Sequence, residues 1–116
     1  MKEIIESKIQ DLKALLGNNE RRITELIDRN PHDKIIEKQN KINELKELLP
    51  VLKNNKYKAV QDFEEELSED IKKLDHDVRV LKSNLMTDDH EINSRKQEIE
   101  FLRVDILAFE ELKKQL

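Results

Sequence analysis

The sequence predicts an all-α protein: long antiparallel helices packed as a coiled-coil-like helical bundle and completed by homodimerisation. Three observations carry this. Apolar residues recur in alternating three- and four-residue steps from Leu67 to the last residue. Ile71, Val78, Leu85, Ile92, Ile99 and Ile106 form one row; Leu67, Leu74, Leu81, Leu102, Phe109 and Leu116 form the other. A narrow stripe of that period is what one helix buries against another. Next, one Gly and two Pro in 116 residues leave little to interrupt a helix. Finally, 41% of residues are charged and 3% aromatic, so the core is aliphatic and thin, and several helices or chains must layer to bury it. The regular apolar rows separate the chain from a disordered polyampholyte.

The elements follow as a single helical domain, 1–116, with helices at approximately 2–29, 31–53, 56–86 and 88–115. The first has the seam Ile5, Ile9, Leu12, Leu16, Asn19, Ile23 and Leu26. Gly17 could stop it in a left-handed C-cap, yet the seam keeps its register, so a continuous helix with a weak point of about 1 kcal/mol is expected. Asn30-Pro31-His32-Asp33 is the clearest boundary: Asn30 can cap, Pro31 fits a first turn, and Asp33 puts negative charge at a helix N-terminus. The second helix has Ile35, Ile42, Leu45, Leu49 and Leu52 on one face, and Pro50 must kink or end it. Asn54-Asn55 is the next polar break.

The third helix opens with Tyr57, Val60, Phe63 and Leu67. At Thr87–Glu91 two readings stay open. Asp88 with Glu91 resembles a capping pair that starts a fourth helix; without a break, 67–116 makes a rod of roughly 75 Å. Asp88 and Arg95, standing in an otherwise apolar row, favour a break or a polar register point. Flanking charges do not select a parallel dimer: Asp77–Lys82, Glu91–Lys96 and Glu98–Arg103 attract, whereas Asp70–Asp75 and Asp105–Glu110 repel.

The candidate interface lies at the C-terminal end. Beside the seam residues Ile99, Leu102, Ile106 and Phe109 stand Phe101, Val104, Leu107, Ala108 and Leu112. A helix apolar around most of its circumference is buried on several sides, either as the centre of a bundle or as a partner surface. Seam positions should be structural. Phe101, Val104 and Leu107 are the better candidates for contact with a partner or second chain.

Chemistry finds no foothold. Asp88-Asp89-His90-Glu91 holds metal-ligand residue types, but consecutive helical residues diverge and neither the zinc nor the calcium spacing is present. Asp75-His76-Asp77 reads as a solvated face, and His32 beside a proline carries no chemistry. No nucleophile–base pair can be argued, a lone glycine cannot build a phosphate loop, and absent cysteine removes disulfides and thiolate sites. No catalytic residue, metal or cofactor is expected, and no enzyme. The 22 basic and 26 acidic residues interleave, so the basic spots Arg21-Arg22, Lys53/Lys56/Lys58 and Lys72-Lys73 lack the continuous stripe that phosphate binding needs; nucleic acid is disfavoured. No apolar run approaches the ~20 residues of a membrane span or resembles a signal peptide, and a cytoplasmic location is expected.

The expected function is therefore non-enzymatic protein–protein interaction: a small helical adaptor or stoichiometric inhibitor with itself and one unidentified protein as partners. The Lys-, Asn- and Ile-rich composition also fits a phage or mobile-element protein acting on a host target. The alternatives are a self-assembling scaffold or assembly factor, and a nucleic-acid-associated accessory factor.

Overall fold

The computed structural model describes all residues, 1–116, and contains three helices: α1 (Lys2–Asp28), α2 (His32–Leu52) and α3 (Lys58–Gln115). The fourth expected helix does not exist. The segment 58–115 holds neither Gly nor Pro, and Thr87–Glu91 is helical throughout. Asp88 and Glu91 are not a capping pair; they reach across to Arg29, the C-cap of α1, and to Arg22 within it. What changes at Thr87 is the packing partner. The chain divides into two compact units, 1–30 with 87–116 and 31–86, which share α3.

In the unit of 31–86, α2 folds back antiparallel on the first half of α3. Ile35 and Ile42 pack with Ile71 and Val78, joined by Leu45, Leu49, Leu74, Leu81 and Leu85. Every one of these was readable from the seam spacing. The helix opens at Pro31 rather than at Asn30: the N-cap residue is the proline, with no side-chain acceptor, and the first helical residue is His32. Pro50 sits inside the last turn of α2, which ends two residues later at Leu52, as the missing N–H and the ring clash require. In the turn, Asn54 adopts a left-handed backbone with φ 60, a conformation asparagine tolerates better than most residues. The Asn55 side chain accepts a hydrogen bond from the Tyr57 amide at 3.0 Å, and its carbonyl accepts one from Gln61 at 2.9 Å. Together they set the start of α3 at Lys58, two residues beyond the expected 56.

In the other unit, α1 lies antiparallel on 87–115 of α3. Leu12 packs with Leu102 and Ile106, flanked by Leu16 and Phe109, and Ile9, Leu26 and Ile99 are also buried. Lys113 meets Glu6 at 2.9 Å, Lys13 meets Glu110 at 3.7 Å and Arg29 meets Asp88 at 2.6 Å, so the chain directions are opposed along the whole contact. Helix α1 runs unbroken through Gly17, where an added Cβ would meet nothing within 4 Å.

Candidate functional site

The polar positions in the seam are the first feature with chemistry. Asp88 is 8% exposed and takes a two-pronged interaction from Arg29, at 3.0 Å through Nε and 2.6 Å through Nη2. Three residues on, Glu91 accepts from Arg22 Nε at 2.8 Å and Nη2 at 3.3 Å, and from Arg95 Nε at 2.8 Å. Arg95 also donates to the Asn19 Oδ1 at 2.9 Å, and Asn19 donates to the Leu15 carbonyl at 3.1 Å. Asn19 is itself 4% exposed. These contacts close a polar layer in which every buried side-chain donor and acceptor is satisfied.

Electrostatics follows from that geometry. Hydrogen bonds from Arg22 and then Arg95 hold the Glu91 carboxyl down at about 2, against the opposing cost of desolvation. The Arg29 hydrogen bond likewise lowers Asp88, and the same bonds raise Arg22 and Arg29. The layer is a fixed set of charges, not a proton donor or acceptor poised near neutral pH. Its carboxylates face guanidinium groups, and no three His, Asp or Glu side chains gather as metal ligands. A register function fits better. An ion pair and an amide at seam positions match only one alignment of α1 on α3, because a shift by one heptad would bury charge against leucine.

The second feature is the outside of α3 near its C-terminus. Ile99, Leu102 and Ile106 are buried and Phe109 is half-buried, all on the face turned toward α1. Those four candidates are thus occupied within the chain. Phe101, Val104 and Leu107 are 65%, 64% and 60% exposed, with Leu112 at 39%. At about 100° per residue, Ala108 and Leu112 lie within about 20° of Phe101, Leu107 lies about 120° away, and Val104 stands midway, about 60° from each. Residues missing from the sequence-based set are on α1: Ile4 at 73% and Leu15 at 48% exposed. Both lie off the α1 seam, one residue from Ile5 and Leu16, and that offset was the available signal.

Elsewhere the surface carries ion pairs together with scattered exposed apolar side chains, among them Val51, Tyr57, Phe63, Val80 and Met86. Lys38 meets Asp77 at 3.4 Å beside His76, in a groove also lined by Lys34, Glu37, Val80 and Leu81. Of the basic spots, Arg22 is tied to Glu91, Lys58 to Asp62 and Lys72 to Glu69, while Lys56 lies over the Tyr57 ring at 5.3 Å. No helix is long and apolar enough to cross a membrane. The chain matches no protein-family model, no curated protein and no solved structure.

Proposed function

We propose that this protein acts without catalysis, as a small helical adaptor or stoichiometric inhibitor that binds another protein through the outer face of α3 near its C-terminus. One observation carries the reading. The inward seam of this segment is filled by α1, so Phe101 and Val104 have no folding role to explain their size and exposure. Large aromatic and aliphatic side chains at the centre of a small patch are the usual anchors of an interface. Self-assembly into a scaffold is the second reading, supported by the same face. A nucleic-acid accessory role has less support, since Arg22, Arg29 and Arg95 direct their guanidinium groups at carboxylates and an amide of the same chain.

Affinity capture tests the reading with two baits, the wild-type chain and a Phe101→Ala, Val104→Ala double variant of equal helix content. A single protein retained in stoichiometric amount by the first and lost by the second supports the adaptor or inhibitor. Equal retention by both baits would place the binding surface elsewhere.

A further inference from the structure

We infer that the partner docking on the outer face of α3 is a basic amphipathic helix, its apolar seam laid along Phe101, Val104, Ala108 and Leu112 and its flanking Lys or Arg residues set against Glu98, Asp105 and Glu111. The inference rests on the reading of this face as a binding surface and names the chemistry of its occupant.

Charge is unevenly distributed around this part of α3. At about 100° per residue, all the bases of 87–116, namely Arg95, Lys96, Arg103, Lys113 and Lys114, stand about 120° or more from Phe101. Glu98, Asp105 and Glu111 stand at about 60°, 40° and 80° from it. Pairing separates these acids from most of their neighbours. Asp88 is tied to Arg29, Glu91 to Arg22 and Arg95, Glu100 to Arg103 and Glu110 to Lys13. Glu98, Asp105 and Glu111 are exposed, and their side chains enter no ion pair or hydrogen bond. The outer arc thus surrounds an apolar centre with unneutralised carboxylates, and no base of α3 answers them.

The apolar centre continues across the edge toward α1. Arg22 meets Glu91 on that edge at 2.8 Å. Steps of seven back along α1 reach Leu15 and then Lys8, with Asp11 and Ile4 four residues before each. Leu15 and Ile4 are 48% and 73% exposed and widen the apolar surface. Lys8 and Asp11 cancel, so the face stays acidic.

The chemistry of the occupant follows. From Phe101 to Leu112 the stripe is about 17 Å long, three turns of helix. Its apolar steps of three, four and four are those against which another helix packs. Lys and Arg on such a helix lay their methylenes along the apolar side chains and hold their cations at the rim, where the carboxylates stand. The same carboxylates repel nucleic-acid phosphates and anionic lipid.

The test uses two synthetic helical peptides of about five turns with the same Leu seam, one flanked by Lys and one by Glu. Each is titrated into the isotope-labelled full chain and followed by amide chemical shifts. At about 50 mM salt the Lys peptide should shift Phe101, Val104, Asp105 and Ala108 saturably, and the Glu peptide should not. Phe101→Ala should weaken the Lys peptide at least ~10-fold, as loss of an interface anchor does. The Glu98→Gln, Asp105→Asn, Glu111→Gln triple variant should weaken it about 10-fold, as should raising salt to about 0.5 M. Leu107→Ala should leave binding intact. Equal binding of the two peptides, or a Lys peptide indifferent to the triple variant, would overturn the basic chemistry and leave the captured-partner reading standing. So would a Lys peptide that shifts only the acidic stretch 62–70, or shifts nothing at millimolar concentration. Shifts at Phe101 that follow the chain's own concentration without peptide would give the face to a second copy instead. Equal capture by the wild type and the Phe101→Ala, Val104→Ala variant is the separate result that removes the face as a binding surface.

Discussion

Ile42 and Ile36 lie on the same helix and differ in one respect: the first is 0% exposed and the second 45%. Replacing each by alanine separates seam from surface with identical chemistry. Ile→Ala removes three carbons at ~0.8 kcal/mol each, about 2.4 kcal/mol of transfer free energy for a fully buried side chain. A cavity contribution raises this. Ile42 packs in a thin layer with Ile35, Ile71 and Val78, which can partly collapse, so a total of about 3 kcal/mol is expected. At Ile36 roughly half the transfer loss applies and the gain in helix propensity offsets a few tenths, leaving under ~1 kcal/mol. Urea unfolding of the two variants at constant m-value measures both. Equal losses at the two positions would refute the packing of α2 on α3 through the Ile35–Ile42 face.

Gly17→Ala should stabilise the chain by about 1 kcal/mol, since the site is helical and open to an added methyl; a fall in thermal midpoint would mean that α1 bends there. Asn19→Leu together with Arg95→Leu removes the polar match in the seam and should broaden the distribution of alignments or oligomers, read by native mass spectrometry, even if thermal stability rises. Glu91 and Asp88 have lowered pKa values, so their contribution is complete above the ordinary carboxylate range and is lost as pH falls; for Glu91 the window runs from 4.5 down to about 2. Glu91→Gln should flatten the loss of urea midpoint across that window, and an unchanged slope would show that the Arg22–Glu91 contact contributes nothing in solution.

Most of the seam was legible because burial of a narrow apolar stripe is a local, periodic property, though Leu116, Tyr57 and Phe63, at the helix ends, stay exposed. Ile35, Ile42, Ile71, Val78, Leu102 and Ile106 all face a partner helix as the spacing requires. The helix break at Thr87 was misread because Asp88 and Glu91 carry the side chains of a capping box. Their partners, Arg29 and Arg22, lie 59 and 69 positions away in sequence, and periodicity within one helix cannot report such pairs. The helix is continuous there, and Asp88 and Arg95 bond to Arg29 and Asn19 from within it. At the candidate site, the excess of apolar residues near Phe101 was visible. Which of those residues α1 covers and which stay exposed required the alignment of α1 on α3.

Hydroxyl-radical labelling of Phe101 and Phe109 in the wild-type chain tests most directly whether the outer face of α3 is a binding surface. Both are phenylalanines eight residues apart on one helix, one outside the seam and one in it. In dilute solution Phe101 should label several-fold faster than Phe109. At high protein concentration, or in complex with a captured partner, Phe101 should become protected while Phe109 stays unchanged. A Phe101 that labels at the same fast rate in every state would contradict the account, because nothing would then cover the face on which the proposed function depends.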